Sequence, residues 1–278
     1  MINEDSVCYK HVNRSAAVGC QRCDKPICAN CMNSASVGFH CPDCSKQGAQ
    51  KVYKGIPGTG SKAFILAKVI LGFIAAVFVM QQTSTTDPSL TDQILIFGPS
   101  VENGEWWRII TSGFAHNDFM HIAFNGYAIW ILGQALEPVV GRVKFGLIFM
   151  GGLLGASLAV LLFDFTSPTL GASGAVMGLV AGLAVLYQMR GMNIFQSSLG
   201  FIIALNLGLP LILGGISFWG HLGGLFGGAV VSVAILYLPK VVNSKKPENL
   251  WNAVGIGMCL AMFAGAYFAG TSGPVFNL

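Results

Sequence analysis

Residues 171–189 read GASGAVMGLVAGLAVLYQM, an apolar run that is rich in glycine and alanine and carries one serine, Ser173, near its start. Its length is close to the roughly 20 residues that a helix needs to cross the hydrocarbon core of a bilayer. Glycines at every fourth position, Gly174, Gly178 and Gly182, allow such a helix to approach a neighbour closely. The run therefore predicts a tightly packed membrane helix with a polar side chain at its beginning.

The rest of the chain contains six more runs of this kind. Of its 278 residues, 53% are hydrophobic and only 10% are charged, which is far from the composition of soluble domains. Taken together, the seven runs predict an all-α, polytopic membrane protein. The other six lie at 63–80, 119–138, 143–163, 194–213, 217–238 and 250–270.

The basic residues are distributed unevenly between the two sides of this predicted bundle. If the N-terminus lies inside, fourteen of the sixteen Lys and Arg residues precede the first span or fall in loops on the inner side. Lys68 falls within the first span, and Arg108 is the one basic residue in an outer loop. The positive-inside rule then predicts a cytoplasmic N-terminus and an external C-terminal tail at 271–278. We expect no signal peptide, since the first apolar run begins only at residue 63.

Four polar residues lie inside the predicted spans, where such residues are costly and are functional candidates by default. Each is near the start of a span that runs from outside to inside, so all of them fall in the outer third of the bilayer. They can therefore meet at one depth and form one site. The four are His121, Asn125, Ser173 and His221.

The first 45 residues are rich in cysteine and histidine pairs separated by two residues, a spacing that suits tetrahedral zinc. An odd seven cysteines and a cytoplasmic location argue against a disulfide scaffold. Eight ligands predict two structural zinc ions in an interleaved arrangement, although His40 could replace Cys41 as a ligand. One zinc would take Cys8, His11, Cys28 and Cys31, and the other Cys20, Cys23, Cys41 and Cys44.

This segment resembles a B-box or cross-brace finger, and we assign it to residues 1–45. Its closed sites leave no position for a catalytic water, so we expect the metal to fold a small module. The module would either bind a cytoplasmic protein partner or serve as a scaffold next to the membrane. The sequence shows no aromatic platform or basic recognition helix, which disfavours binding to nucleic acid. Residues 46–62 combine glycines with lysines and predict a flexible basic linker that lies against anionic lipid headgroups.

At the polar residues of its spans, the chain resembles the rhomboid proteases. The resemblance covers residues 63–270, and the combination of motifs in this order is more specific than any one of them. The matching pieces are Trp107-Arg108, His116, His121-x-x-x-Asn125, Gly171-x-Ser173-Gly174 and His221-x-x-Gly224-x-x-x-Gly228.

The resemblance implies a six-helix core with one extra C-terminal helix, and an intramembrane serine endopeptidase that cleaves single-span membrane proteins. Ser173 would be the nucleophile and His221 the general base and acid, with no cofactor in catalysis. By similarity, His121, Asn125 and the Ser173 N–H would bind the oxyanion. The remaining implied roles are structural: Trp107 and Arg108 in an outer loop, His116 as a structural or water-retaining residue, and close helix packing at Gly174, Gly178, Gly224 and Gly228.

One position departs from the family pattern. Many rhomboids carry a tyrosine one turn after the nucleophile, stacked on the catalytic histidine, where this chain has Met177. A thioether contact with the His221 ring could substitute. The zinc-finger-like N-terminus is similar to that of certain bacterial rhomboids, which implies a bacterial plasma membrane.

Two other functions remain as alternatives. The first is a catalytically silent, rhomboid-like protein that binds transmembrane helices, although such relatives usually lack the serine or the histidine, and both are present here. The second is a transporter or channel. It is disfavoured because the polar residues gather at one depth and form no chain across the bilayer.

Overall fold

The computed structural model describes residues 6–48, 64–85 and 88–274, and the chain divides into two compact units, residues 1–55 and 56–278. Most of the predicted linker at 46–62 and the last four residues of the predicted tail lie outside the described residues.

The N-terminal unit is built from short hairpins around buried cysteines. A 3₁₀ turn at Ala29–Cys31 follows the first hairpin, and helix α1 (Pro42–Gly48) follows the second. This helix extends beyond the predicted boundary at residue 45. The antiparallel pairs are β1 (Val18–Gly19) with β2 (Pro26–Ile27), and β3 (Asn33–Ser34) with β4 (Phe39–His40).

The C-terminal unit is helical, and a helix occurs at each of the seven predicted spans. These helices are α2 (Ile65–Thr83), α6 (Phe119–Val140), α7 (Arg142–Phe163), α8 (Ser173–Met189), α9 (Ser198–Gly208), α10 (Phe218–Ser232) and α12 (Glu248–Thr271). Helices α9 and α10 are shorter than the spans predicted at 194–213 and 217–238. Shorter helices in the connections are α3 (Leu90–Ile94), α4 (Gly98–Glu102), α5 (Arg108–Thr111) and α11 (Leu238–Val241), and a π-helical segment at Val233–Tyr237 joins α10 to α11.

Length and composition separate these seven helices into two groups. Among the described residues, four are long and apolar enough to cross a membrane: α2, α7, the continuous segment Phe218–Val241 and α12. Helices α8 and α9 are apolar but shorter, and α6 has 22 residues but includes polar and charged side chains. At 1.5 Å per residue, the 17 residues of α8 extend about 26 Å, slightly less than the hydrocarbon core.

Helix α7 packs against α8, α10 and α12, and glycines line its contacts with the first two. On α8 and α10, Gly178 and Gly228 face each other so closely that a Cβ on Gly228 would lie 2.6 Å from the Gly178 carbonyl oxygen. Gly174 and Gly224 make the equivalent contact one turn away. Gly152 of α7 also contacts Gly178, since a Cβ on Gly178 would lie 2.6 Å from the Cα of Gly152. The backbones of three helices therefore meet without intervening side chains.

A buried carboxylate fixes the start of α2. Glu137, near the end of α6, is 1% exposed. Its two oxygens accept the backbone N–H groups of Ile65, Leu66 and Ala67 at 2.9 Å each. These are N–H groups of the first helical turn, which have no partner within the helix, and the positive end of the helix dipole favours an anion there. Glu137 therefore joins α6 to α2 at one end of the bundle.

Candidate active site and metal sites

A cavity of about 420 Å³ lies among the starts of α6, α8 and α10. It is bounded by the connection 164–172 that precedes α8 and by residues 215–217 that precede α10. All four polar residues singled out by their depth in the sequence line it: His121, Asn125, Ser173 and His221. The structure thus brings residues that are up to 100 positions apart in sequence to one cavity.

Ser173 is the first residue of α8 and is partly exposed to the cavity. The first hydrogen bond of this helix runs from the Val176 N–H to the Ala172 carbonyl at 2.9 Å. The N–H groups of Ser173 and Gly174 therefore have no acceptor within the helix. A serine hydroxyl, free N–H groups and the positive end of a helix dipole are combined at this point, an arrangement suited to a developing oxyanion.

His221 lies in the first turn of α10, where it is 7% exposed. Ser217 caps this helix by accepting the Gly220 N–H at 3.0 Å. The Nδ1 atom of His221 is 2.7 Å from the backbone carbonyl oxygen of Asn206, at the end of α9. A carbonyl can only accept a hydrogen bond, so Nδ1 donates and Nε2 is left with a lone pair. This is the tautomer that can take a proton from a hydroxyl group.

The Ser173 and His221 side chains are not hydrogen-bonded to each other in the described structure, although both line the cavity. Their neighbours in sequence are in contact, since a Cβ on Gly174 would lie 3.3 Å from the Gly220 carbonyl oxygen. Hydrogen bonds between a nucleophile and its base are often long before substrate binds. The contact places the two side chains on adjoining turns of packed helices.

His121 and Asn125 lie one turn apart on the cavity face of α6, as their spacing predicts. Asp118 begins this helix by accepting the His121 N–H at 2.9 Å. The imidazole lies directly against the chain before Ser173, because a Cβ on Gly171 would be 2.6 Å from its Nε2. Gly171 also has a φ of 120°, which favours glycine. Only glycine therefore fits between His121 and the turn that presents Ser173.

His116 is separate from this cavity and is 1% exposed. Its ring lies 4.9 Å from that of His121, edge to face. Neither of its ring nitrogens has a hydrogen-bond partner within the described chain. Burial, and to a smaller extent the neighbouring His121, lowers the pKa of His116 to about 4. The side chain is therefore a neutral imidazole at neutral pH, packed behind His121.

The connection between α2 and α6 is held together by Arg108. This side chain is 6% exposed and donates to the carbonyl oxygens of Asp92 and Leu95 at 2.6 and 2.8 Å, as well as forming an ion pair with Glu105. The adjoining Trp107 donates from Nε1 to the Gln93 carbonyl at 3.2 Å and is 40% exposed. Both residues thus contribute to the order of the segment between α2 and α6.

The same segment is attached to the chain that leads into Ser173. Ile96 and Thr169 exchange two backbone hydrogen bonds of 2.9 Å, and the Gly171 N–H donates to the Ser112 carbonyl at 2.9 Å. The turn that presents Ser173 is therefore fixed by the connection that Arg108 orders.

Met177 is 1% exposed and is not among the residues that line the cavity. A contact between its thioether and the His221 ring stays a prediction.

In the N-terminal unit, the eight predicted ligands form the two interleaved groups. One contains Cys8, His11, Cys28 and Cys31, and the other Cys20, Cys23, Cys41 and Cys44; within each, the ligand atoms lie within 4.8 Å of one another. Cys41 rather than His40 belongs to the second group.

The spacing within each group fits a tetrahedral metal. The Sγ atoms of Cys8 and Cys31 are 3.8 Å apart, as are those of Cys23 and Cys41. Two sulfurs bound to one zinc at 2.3 Å would be separated by about 3.8 Å, whereas a disulfide requires about 2.05 Å. His11 faces the first group with Nδ1, which is 3.2 Å from Cys31 Sγ. Either group could hold a metal ion.

Two contributors to the fold and the site were missed in the sequence. One is Asn206, whose carbonyl orients His221. It is a polar residue within the predicted span 194–213, and because polar residues are costly in a membrane, its position could have marked it as a functional candidate. Glu137 lies within the predicted span 119–138 and gave the same signal. No feature of the sequence predicts that the main-chain carbonyl of Asn206 would contact His221.

A family model described as the Rhomboid domain matches residues 103–238. The rhomboid protease GluP of Bacillus subtilis (strain 168) is 32% identical over 192 residues, which are 66% of this chain but 36% of GluP. YdcA of the same organism is 32% identical over 145 residues, 51% of this chain and 73% of YdcA. RHOMBOID-like protein 6, mitochondrial, of Arabidopsis thaliana is 33% identical over 146 residues, 50% of this chain and 47% of that protein.

Proposed function

The chain belongs to the rhomboid family, and on that premise we propose that it is an intramembrane serine endopeptidase acting through Ser173 and His221. The observation that carries this proposal is the hydrogen bond from His221 Nδ1 to the Asn206 carbonyl, at 2.7 Å. It leaves Nε2 as a proton acceptor in the cavity that also contains the Ser173 hydroxyl. A backbone carbonyl here orients the base, the role that a carboxylate has in a three-residue site.

In the first half of the reaction, Ser173 Oγ attacks the substrate carbonyl carbon while its proton passes to His221 Nε2. The resulting oxyanion accepts hydrogen bonds from the Ser173 N–H and from the His121 and Asn125 side chains. The imidazolium then donates its proton to the leaving amine, the C–N bond breaks, and an acyl-enzyme remains.

In the second half, a water molecule loses a proton to His221 and attacks the acyl carbon. Collapse of this second intermediate breaks the bond to Ser173 Oγ, which regains its proton from His221. The product is a free carboxylate and the enzyme returns to its starting state. The short helix α8 lets Ser173 lie inside the hydrocarbon layer while the opposite end of the helix reaches the interface.

The substrates are single-span membrane proteins that enter from the bilayer. The protein is a multi-pass membrane protein, and the uneven distribution of Lys and Arg supports a cytoplasmic N-terminus and an external C-terminus in a bacterial plasma membrane. In that orientation the cavity opens towards the external side, and cleavage occurs near that face.

Zinc is the metal for both groups of the N-terminal unit, because tetrahedral sets of cysteine and histidine are typical of structural zinc. Four protein ligands fill each coordination sphere. The metal therefore stabilises this unit and takes no part in peptide hydrolysis.

Reconstitution of the full chain with a model single-span substrate tests the activity. Cleavage should occur with the wild type and be lost in Ser173→Ala and in His221→Ala. A substrate that binds the wild type but is never cleaved would favour the alternative of a catalytically silent, helix-binding protein. Cleavage that persists in Ser173→Ala would refute the proposed mechanism.

A further inference from the structure

A second cavity of about 390 Å³ adjoins the catalytic cavity. The two share His121 and several loop residues, among them Asn117, Thr169 and Ser217. The second cavity also reaches Leu95 and the beginning of the connection between α7 and α8, at Asp164. We call this second cavity the vestibule, since it is continuous with the proposed active site and lies among the loops at that end of the bundle.

The vestibule carries an unpaired negative charge. Asp164 lines it and is half-buried, and its carboxylate has no hydrogen bond or ion pair with any residue that the structure describes. Asp118 lines the adjoining catalytic cavity, where one of its oxygens caps α6. Among the described residues that line either cavity there is no Lys or Arg. A cation that enters the vestibule would therefore meet a carboxylate with no competing partner.

The charge of the surrounding loops has the same sign. The described parts of the connections and tail at this end of the bundle are 81–85, 88–118, 164–172, 209–217 and 271–274. They contain five acidic residues and one basic residue, Arg108, which gives a net charge of −4. Arg108 is engaged with Glu105. Cavities lined by one sign of charge attract ligands of the opposite sign.

We propose that Asp164 makes the vestibule select substrates that carry Lys or Arg in the residues flanking the scissile bond at this end of the bundle. This inference rests on the proposed protease function and adds a substrate class to it. A carboxylate and an ammonium group in a cavity interact more strongly than they would in bulk water. We expect a preference of about five- to tenfold in kcat/KM for Lys over Glu at the best position.

The experiment uses the full chain in liposomes of zwitterionic lipid, with one single-span substrate. Each of the four residues that flank the scissile bond at this end is changed in turn to Lys, Gln or Glu, and kcat/KM is measured for each substrate. The enzymes are the wild type, Asp164→Asn, Asp164→Lys and the control Glu102→Gln. Glu102 is an exposed acid in the same group of connections that lines neither cavity.

The wild type and Glu102→Gln should prefer Lys over Glu at one or two adjacent positions, and this ratio should fall at high salt. Asp164→Asn should bring the ratio close to one, and Asp164→Lys should invert it. Because Asp164→Asn conserves shape, it keeps the test valid if Asp164→Lys does not fold.

Two kinds of failure can be distinguished. If the Gln substrate is not cleaved, or is cleaved equally by Ser173→Ala, the proposed protease function itself is wrong. If cleavage depends on Ser173 but the Lys to Glu ratio stays within twofold at all four positions, the selection is refuted while the protease function stands. The same holds if Asp164→Asn leaves the ratio unchanged.

Discussion

Gly228→Ala is the smallest change that perturbs the contact between α8 and α10. The added methyl carbon would lie 2.6 Å from the carbonyl oxygen of Gly178 and 2.7 Å from its carbonyl carbon. Carbon atoms pack best at about 3.5–4.0 Å. Since both neighbours are backbone atoms that cannot rotate away, the helices must separate by about 1 Å.

The separation has consequences for stability and for activity. Overpacking of a well-packed interior costs about 1–3 kcal/mol. Ser173 and His221 lie on the two helices that move apart, and a displacement of about 1 Å can cost roughly 100-fold in rate. We therefore expect Gly228→Ala to unfold more easily and to lose one to two orders of magnitude in kcat on a model substrate.

The assay combines thermal unfolding in detergent with cleavage kinetics in liposomes. Gly257→Ala is the matched control, since Gly257 also lies within a helix and a Cβ there would have no neighbour within 4 Å. It should keep its activity and stability, because alanine is the better helix former. The packing argument is refuted if Gly228→Ala matches the control in both measurements.

Three further predictions concern other parts of the chain. Glu137→Gln, which weakens the cap on the first turn of α2, should lower the free energy of unfolding by about 1–3 kcal/mol; an unchanged midpoint of unfolding would contradict this. The free energy of unfolding should fall as the pH is lowered from about 7 to 4, because His116 has a pKa near 6.5 in the unfolded chain but of about 4 in the folded protein. His116→Phe should remove that part of the pH dependence, on the order of 2–3 kcal/mol, and a profile parallel to the wild type would argue against it. Elemental analysis should find two zinc ions per chain in the wild type and in Cys259→Ser but fewer in Cys41→Ser, and equal zinc in all three would reject the assigned ligands.

The sequence predicts the positions of the helices well because each corresponds to an apolar run between charged or glycine-rich turns. It predicts their lengths less well. The apolar runs predict helices over 171–189 and 194–213. The observed helices are shorter, since α8 starts at Ser173 and α9 extends only over Ser198–Gly208. Hydropathy records which residues tolerate lipid, but the end of a helix depends on its caps and on tertiary contacts.

The site was predicted from the depth of its polar side chains, and all of them line one cavity. The sequence could not predict the partner of His221, because it is a main-chain carbonyl and any residue at position 206 carries one. The three short helices before α6 also had no clear pattern in the sequence. Arg108 orders that segment through bonds to carbonyl groups that are 13 and 16 residues away, and such pairings leave no periodic signal.

Covalent labelling of the nucleophile tests the central claim most directly. The full chain is treated with a fluorophosphonate in liposomes, and the modified residue is identified by peptide mass spectrometry. The account predicts one adduct, on Ser173, in the wild type and its loss or strong reduction in His221→Ala, since the imidazole activates the hydroxyl. An adduct on another residue, or equal labelling of Ser173 in His221→Ala, would contradict a Ser173–His221 dyad.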